Sequence, residues 1–538
     1  MIEDVIIVGS GASAVCVAYP MVQAGLSVKM VDPGRQDPVY AGLIPDEPFI
    51  KIRQTDPEQY RYFLGDRFEG IPFGAVQVGA QLTPPRQYIT KETKRWAPIN
   101  ATGFSPVVSL ALGGLASGWS AGAMPFGSME MDDFPISCDE LTPHYEKVAQ
   151  RIGVSGEMDD LSPFDGTLKN LYPALGIDQN AATILARYKQ RKDQLNRKGF
   201  YMGKPKLATL SRPHRGRGPD RYLDMSFWGD TDQSVWRPAY TLKELHAYPN
   251  FSYRGSQLVE SFKEYADGSV DVACTNIQSG QVEQHRARRL ILAAGLFGTA
   301  RIVLKSLNQY GVRVPVVCNP YTYYPMLNLN VLGNPPSETN HSLAQICVVY
   351  IPKGDNRSPL HGRVHSYRSL LNFKIIKELP LPYREGIRLV KMLAPSLTVL
   401  ALDHEDRPTP DKYCMLEKGP EGQPDLLKVV YQLSDAVKMK QRQYEREVLW
   451  HFLKLGCIVI KRIFPGYGAS LRYGGAFPMN RQERALTVDT NGLLRGTRSV
   501  YIVDGSIFPY LPAKGMTFTM MANANRIGEF ICKLYHRQ

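Results

Sequence analysis

The segment SLRYGGAFPM, residues 470–479, places one charged side chain, Arg472, among glycines and apolar residues. A charge is rarely found in such a stretch unless it is paired, solvated or directed at a ligand. A guanidinium has a pKa above about 12, with five donors and no acceptor. It can hold a carboxylate or a phosphate, or stabilise an anion that develops during a reaction, but it cannot act as a general base near neutral pH.

A second group of residues, near the N-terminus, has the spacing of a dinucleotide site. Gly9-x-Gly11-x-x-Ala14 follows the apolar run DVIIV, and a second apolar strand ends at Asp32. The first glycine permits a tight turn, the second lets the backbone approach a pyrophosphate, and Ala14 lets the helix pack closely on the strand. The helix N-terminus would face the phosphates, and Asp32 suits ribose hydroxyls. The pattern predicts a βαβ unit that binds a dinucleotide.

Two remote segments have the same order of buried strand, glycine turn and helix. One is ARRLILAAGLFGTARIVLKS, residues 287–306. The other has a strand that ends at Asp504 and Gly505, and a helix that begins near Thr517 with apolar residues at helical spacing. Both segments are typical of an α/β protein with a largely buried sheet.

Between Arg95 and Glu130 the chain carries no charged residue. The stretch is long enough to cross a bilayer, but three prolines and six glycines interrupt it, whereas a spanning helix needs about 20 mostly apolar residues. We therefore expect no transmembrane segment, and interpret the stretch as buried irregular backbone that approaches a ligand closely.

The length of 538 residues predicts two or more domains, and the composition is ordinary for a globular protein. The eight cysteines are scattered, without a C-x-x-C pair, which predicts free thiols and no metal site. MIEDVIIVG carries two acids before its first apolar run and lacks the features of a signal peptide. We expect a cytoplasmic protein.

The formal net charge of +13 is unevenly distributed, because residues 187–221 contain twelve Lys or Arg and two Asp. We interpret this basic segment as a solvated, mobile or irregular insertion. The alternative is a site for an anionic partner such as a phosphorylated substrate, an acidic glycan or a membrane surface. Few aromatic residues lie between the charges, so no nucleic-acid partner is expected.

Four motifs, in this order, resemble those of the glucose-methanol-choline (GMC) flavin oxidoreductases, and most closely the branch that contains pyranose oxidase. They are the N-terminal fingerprint, ALGGLASGWSAGAMP (111–125), LILAAGLFGTARIVLKS and VYIVDGSIFPYLPAKGMTFTMMANANRI. The resemblance implies an α/β fold (α+β overall), with a discontinuous Rossmann-type FAD-binding domain and a mixed sheet-and-helix substrate domain. The predicted boundaries are 1–150, 236–315 and 466–538 for the FAD-binding domain, 151–235 for a basic insertion or substrate-domain part, and 316–465 for the substrate domain.

The resemblance also implies which residues bind FAD. The ADP part would contact Gly9, Gly11, Ala12, Ala14, Asp32, Ala294 and the backbone of Leu258 or Val259. The flavin and its ribityl-pyrophosphate would contact Gly113, Gly114, Ser117, Trp119, Asp504, Gly505, Thr517, Phe518 and Thr519. Some pyranose oxidases attach FAD to a histidine, and at that position this chain has Gly118. We therefore expect non-covalent FAD.

In the family, a histidine takes the hydroxyl proton while the carbinol hydride moves to flavin N5. Arg472 stands where that histidine belongs, and Gly515 stands where a second polar residue is common. Arg472 and Tyr473 are the catalytic candidates, and Lys514 is a further nearby group. Tyr and Lys are mostly protonated at pH 7, so either would need a strongly lowered pKa to act as a base. The alternative is that Arg472 forms a buried ion pair or points to solvent while an unidentified residue acts. His361 and His365 could line a pocket but fit ordinary sheet surface better.

The functional prediction is an FAD-dependent oxidoreductase that transfers a hydride from a CH–OH group of a sugar or other metabolite to flavin N5. The substrate would be a small molecule, and anionic and glycosylated compounds are both considered. One alternative is a GMC-fold flavoenzyme with non-alcohol chemistry on a carboxylate or phosphate gripped by Arg472. Another is a flavin-binding protein that has lost catalysis.

Overall fold

The structure is a computed structural model of the chain. It describes residues 2–36, 39–70, 82–166, 168–333, 340–355, 359–366 and 380–536. Parts of the predicted domains lie outside these ranges, whereas every predicted site residue lies inside them.

Helices and strands are distributed along the whole described chain. The helices are α1 (Ala12–Gln23), α2 (Phe49–Thr55), α3 (Tyr60–Phe63), α4 (Thr93–Trp96), α5 (Ser128–Met131), α6 (Cys138–Ile152), α7 (Ser162–Asp165), α8 (Gln179–Asn196), α9 (Pro238–Leu245), α10 (Gly295–Ser306), α11 (Tyr383–Leu393), α12 (Asp435–Lys454) and α13 (Thr517–Tyr535). The strands are β1 (Glu3–Val8), β2 (Val28–Val31), β3 (Ile99–Thr102), β4 (Phe200–Gly203), β5 (Phe251–Arg254), β6 (Gln257–Glu264), β7 (Val270–Asn276), β8 (Val282–Leu292), β9 (Val314–Pro315), β10 (Val317–Cys318), β11 (Tyr321–Asn328), β12 (Ala344–Tyr350), β13 (Leu360–Ser366), β14 (Leu397–Asp403), β15 (Lys412–Glu417), β16 (Leu426–Tyr431), β17 (Cys457–Val459), β18 (Tyr473–Gly474) and β19 (Val500–Ile502).

A seven-stranded sheet has the order β5-β2-β1-β8-β7-β6, with β19 also paired to β8. The pairs β5–β2, β2–β1, β1–β8 and β8–β19 are parallel, so their carboxyl ends meet at one edge. The predicted βαβ unit is confirmed by β1, α1 and β2, and the predicted last helix by α13. Helices α1 and α13 pack against each other, which brings the two ends of the chain together.

A six-stranded antiparallel sheet has the order β17-β11-β14-β13-β12-β4. One of its faces packs on α8 and α12 through a core that includes Ile184, Tyr188, Val364, Leu400 and Phe452. The alternation of side chains along the strands directs the other face towards the seven-stranded sheet. The predicted α/β fold, with a Rossmann-type part assembled from distant segments and a sheet-and-helix part, is confirmed.

The uncharged stretch has the predicted irregular backbone over most of its length. It contains β3, which pairs with β16 in a smaller four-stranded sheet, and a 3₁₀ turn at Gly114–Gly118. Within the described ranges, no helix is long and apolar enough to cross a membrane.

The basic segment 187–221 differs from its prediction. Its first half continues α8 and then forms β4 at the edge of the six-stranded sheet, so the expectation of an irregular insertion is wrong there. Lys206 is buried, and its ammonium lies 3.1 Å from the Asp165 carboxylate. Lys192 and Lys204 pair with nearby acids. The segment also holds apolar side chains that pack on the sheet and order it despite its charge, namely Tyr188, Leu195 and Phe200.

Candidate functional site

A continuous cavity of about 800 Å³ lies between the two large sheets. This volume falls within the roughly 300–1,000 Å³ of ligand pockets in proteins. The wall combines the turn after β1, the uncharged stretch, the N-terminal end of α13 and the inner face of the six-stranded sheet.

The turn after β1 is shaped for close approach by a ligand. Gly9 has φ +98°, and a Cβ added there would stand 2.5 Å from the Ala293 carbonyl oxygen, so a larger residue does not fit. Gly11 has φ −67°, and an added Cβ would meet only the Gly113 oxygen, at 3.9 Å. A side chain at Gly11 would therefore project into space that the protein leaves open for a ligand.

Asp32 is linked through Ser10 to the uncharged stretch at Gly113. Its buried carboxylate accepts hydrogen bonds from the Ser10 hydroxyl at 2.5 Å and the Tyr253 hydroxyl at 3.3 Å. The Ser10 oxygen in turn accepts from the Gly113 N–H at 2.8 Å. Burial raises the pKa of Asp32 to about 7, and this effect outweighs the hydrogen bonds from Ser10 and Tyr253, which lower the pKa. Ser10 was not among the predicted site residues, although it stands between the two fingerprint glycines.

These residues fit an adenine dinucleotide. The glycine turn leaves open space beside the N-terminus of α1, where backbone N–H groups favour a pyrophosphate, and Asp32 stands at the end of β2 where a ribose is expected. The start of α13 at Thr517 also lines the cavity, and a helix N-terminus favours negative charge.

Most of the residues predicted to bind FAD are brought together in this wall. Those that line it are Gly9, Gly11, Ala12, Asp32, Gly113, Gly114, Trp119, Leu258, Val259, Ala294, Asp504, Gly505 and Thr517. The Asp504 carboxylate, however, is directed at the start of α10, where it accepts from the Gly295 N–H at 2.9 Å.

Four predicted residues stand behind the wall. Ala14 lies in the packed core between α1 and its neighbours. The Ser117 hydroxyl donates to the Leu112 carbonyl and closes the turn. Phe518 packs on Tyr145, and the Thr519 hydroxyl accepts from the Tyr145 hydroxyl at 2.8 Å. These four residues shape the wall and do not face the cavity.

The inner face of the six-stranded sheet carries the charged side chains of the site. Along β13, Leu360 and Val364 point into the core below, so His361, Arg363 and His365 share the opposite face. Arg363 and His365 line the cavity together with Tyr321 and Tyr323, whose hydroxyls are 2.9 Å apart. Arg363 was not predicted as a site residue; the alternation in HGRVHS was the signal that could have identified it.

Arg472 lines the cavity and also forms an ion pair. Its Nη1 lies 3.2 Å from Oδ1 of Asp403, and Nη2 of Arg363 lies 2.6 Å from Oδ2 of the same carboxylate. Asp403 is fully buried; burial acts to raise its pKa, but the two guanidiniums outweigh burial and lower it. The carboxylate is therefore ionised, and the group formed by these three residues, the Arg–Asp–Arg group, carries one net positive charge.

The other groups named beside Arg472 are occupied. The Tyr473 hydroxyl donates to the Gly468 carbonyl at 2.7 Å and accepts from the Val107 N–H at 3.2 Å. Burial raises the pKa of Tyr473 well above its usual range, so it cannot take a proton from a substrate. Lys514 is buried behind the wall, within 3.3 Å of carboxylate oxygens of Glu130 and Asp165. Burial acts to lower the pKa of Lys514, but the charges of Glu130 and Asp165 outweigh burial and raise it.

The two histidines of β13 are not ordinary sheet surface, so that expectation is wrong. His361 is 3% exposed, and its ring nitrogens have no hydrogen-bond partner among the residues that the structure describes. His365 is half-buried and faces the cavity. Burial, reinforced by Arg363, lowers the pKa of His365 to about 3. Its imidazole is therefore neutral at pH 7 and able to accept a proton.

Comparisons with known proteins find remote relatives of the chain. No protein-family model matches the chain. Among curated proteins, the chain is 24% identical to 6'''-hydroxyparomomycin C oxidase of Streptomyces lividus, over 98% of this chain and 91% of the relative. It is also 24% identical to paromamine 6'-oxidase of Streptomyces fradiae, over 56% of this chain and 49% of that protein.

Solved structures have the same fold. A formate oxidase variant of Aspergillus oryzae RIB40 superposes with a TM-score of 0.61 at 11% identity, covering 99% of this chain and 98% of the other. Pyridoxine 4-oxidase of Mesorbium loti superposes with a TM-score of 0.57 at 14% identity, covering 100% and 99%. The fold is that of the GMC oxidoreductases, as the motifs predicted. The chain therefore shares its fold with these oxidases, and its cavity carries a turn that fits an adenine dinucleotide.

Proposed function

We propose that this protein oxidises a CH–OH group of a small molecule, with non-covalent FAD as the electron acceptor and His365 as the proton acceptor. The observation that carries the proposal is one continuous cavity, in which the dinucleotide turn and the charged face of the six-stranded sheet share a wall. The carbinol carbon loses a hydride, its hydroxyl loses a proton, and the product is a carbonyl. Bound FAD would supply the two-electron acceptor.

Residues of this chain would hold both the ADP part and the flavin part of FAD. The turn at Gly9 and Gly11 would hold the pyrophosphate, Asp32 would accept from the ribose hydroxyls, and the N-terminus of α13 would favour the negative charge of the reduced flavin. Gly118 offers no side chain for covalent attachment, so acid precipitation should release intact FAD. Flavin that remains with the precipitate would contradict this part of the proposal.

His365 is proposed as the proton acceptor because the three candidates that the sequence offered are unable to act. Arg472 has no acceptor site, Tyr473 is engaged at both ends of its hydroxyl, and Lys514 is ion-paired behind the wall. His365 faces the cavity, and its neutral imidazole has a ring nitrogen that can accept a proton, although its low pKa makes it a weak base.

We also propose that the domains follow the predicted boundaries and that the protein acts in the cytoplasm. The seven-stranded sheet takes its strands from 1–150, 236–315 and 466–538, and the six-stranded sheet takes its strands from 151–235 and 316–465. All eight cysteines are free thiols, which suits a reducing compartment.

A second candidate function is suggested by the positive Arg–Asp–Arg group, namely non-alcohol chemistry on an anionic substrate. The sequence relatives do not decide between the two. By name they are oxidases of paromamine and of 6'''-hydroxyparomomycin C, and the latter name includes a hydroxyl group.

The test is an anaerobic stopped-flow screen in which flavin absorbance is followed after mixing with neutral sugars, hydroxy acids and carboxylates without a hydroxyl. Bleaching by hydroxyl compounds, with the matching carbonyl product, supports alcohol oxidation. Bleaching only by compounds that lack a hydroxyl supports the second candidate. A protein that binds FAD but bleaches with none of them would be a flavin-binding protein without this activity.

A further inference from the structure

The charge on the Arg–Asp–Arg group is unbalanced at the cavity wall. Arg363 and Arg472 share the single carboxylate of Asp403, at 2.6 and 3.2 Å. Both side chains are largely buried, with 17% and 12% of their surface exposed. Removing a charge from water is costly unless an opposite charge compensates it, so this wall lacks one negative charge.

Arg462, another arginine of the cavity wall, differs from the Arg–Asp–Arg group in its charge balance. Its Nε lies 3.0 Å from Oε2 of Glu445, so one guanidinium faces one carboxylate, whose other oxygen lies 3.2 Å from His404 Nε2. At the Arg–Asp–Arg group, by comparison, Nε of Arg363 makes no hydrogen bond within the described ranges, and Nη1 of Arg472 has only the ionic contact with Asp403 at 3.2 Å. The Arg–Asp–Arg group thus differs from Arg462 in carrying an excess positive charge.

We propose that Arg363 and Arg472 together bind a carboxylate of the substrate, so that the alcohol oxidised by this protein belongs to a hydroxy acid. A carboxylate carries the one negative charge that the group lacks, whereas a phosphate dianion would exceed it. The planar guanidinium fork also matches the geometry of a carboxylate. The inference rests on the proposed function, because the same cavity is assigned to the substrate.

The position of His365 limits the size of the acid. His365 follows Arg363 by two residues on the same face of β13, a separation of about 7 Å along a strand. A carboxylate held by the arginines would place a hydroxyl near His365 only if a few bonds separate the two groups. The bound carboxylate would also favour the protonated imidazole, because a nearby negative charge raises the pKa of a base.

The test measures binding without turnover. The oxidised holoenzyme is titrated with acetate, with acetamide as the neutral isostere and with inorganic phosphate, and the flavin spectrum is followed. Acetate should give a saturable change that acetamide does not give. Arg363→Gln and Arg472→Gln should each weaken acetate binding at least about tenfold, the effect of losing one charged hydrogen bond of about 1.5–3 kcal/mol. Arg462→Gln is the matched control and should bind acetate as the wild type does.

Retained flavin and an unchanged circular dichroism spectrum show that a variant is folded. Arg472→Lys, which keeps the charge, should keep part of the affinity and serves if the glutamine variant does not fold. Equal binding of acetate and acetamide, tighter binding of phosphate, or acetate affinity unchanged in both arginine variants would overturn the inference. Acetate binding as expected, with no hydroxyl compound oxidised, would instead refute the proposed function and leave the carboxylate site standing.

Discussion

At the scale of single residues, the proposed mechanism assigns to different side chains the tasks that the resemblance gives to one histidine. Arg472, which the motif comparison places at the position of that histidine, is paired with Asp403, so it can orient an anion but cannot take a proton. His365 enters the same cavity from β13 and is neutral. Proton transfer and substrate binding are therefore assigned to separate segments of the chain.

His365→Gln should slow anaerobic flavin reduction about 10²-fold, the lower end of what a positioned general base contributes, because an imidazole of pKa about 3 is a weak base. FAD retention should be unchanged, because His365 lies on the sheet and not on the dinucleotide turn. His536→Gln, on the surface after α13, is the matched control and should reduce flavin at the wild-type rate. A rate within twofold of the wild type in His365→Gln would remove this residue from the mechanism.

The pH dependence of the same reaction follows from the lowered pKa of His365. In the free enzyme the imidazole stays neutral until the pH approaches about 3, whereas an ordinary histidine is half protonated near pH 6.5. The second-order rate constant for flavin reduction should therefore change less than about twofold between pH 7.5 and 5. A fall of tenfold or more over this interval, centred near pH 6.5, would show that a histidine of ordinary pKa controls the step.

At the scale of elements, local motifs were predictable and long-range partners were not. The turn between β1 and α1 could be predicted because Gly9, Gly11 and Asp32 lie within one βαβ unit. The Arg–Asp–Arg group depends on the pairing of β13 with β14 and on Asp403 meeting Arg472, 69 residues away. Alternation in HGRVHS predicts a strand, but it does not reveal which face is covered or by what.

Gly11→Val should yield a folded protein without FAD. The backbone at Gly11 is in an ordinary region, and an added Cβ meets no protein atom closer than 3.9 Å, so the side chain occupies only the space assigned to the pyrophosphate. The measurement is the ratio of flavin to protein after gel filtration. The control is Gly42→Ala. Gly42 does not line the cavity, and a Cβ added there meets no atom within 4 Å, so this variant should retain FAD fully. Normal flavin content in Gly11→Val would show that the pyrophosphate does not bind beside Gly11.

Lys514 tests the buried ion pairs that fix the start of α13. It is 1% exposed and lies 3.0 Å from Glu130 and 3.3 Å from Asp165. Removing one partner of a buried ion pair costs about 3–5 kcal/mol, so Lys514→Met should lower the free energy of unfolding in urea by that amount. Lys51→Met, which breaks an exposed pair with Glu47, should change it by less than about 1 kcal/mol. Equal losses of unfolding free energy in the two variants would show that the ion pairs of Lys514 with Glu130 and Asp165 are not buried in solution.

At the scale of the whole molecule, the cavity joins two sheets that are built from interleaved segments. The seven-stranded sheet supplies the dinucleotide turn, and the six-stranded sheet supplies Arg363 and His365. The basic segment was predicted to be irregular because its net charge was counted over a window of sequence. In the structure, its apolar residues pack on the six-stranded sheet, and several of its charges pair with acids that are distant in sequence. Charge counts do not reveal such pairs.

Because walls from both sheets meet at the cavity, FAD should stabilise the whole chain. A ligand that binds only the folded state adds about 1.4 kcal/mol for each tenfold increase in its free concentration above Kd. Removing FAD should therefore lower Tm, and adding it back should raise Tm with the logarithm of its concentration. Gly11→Val, which blocks the pyrophosphate position, should show the lower Tm and no response to FAD. An apoprotein that melts at the Tm of the holoenzyme, with no rise on FAD addition, would mean that the cavity does not hold the cofactor in the folded state.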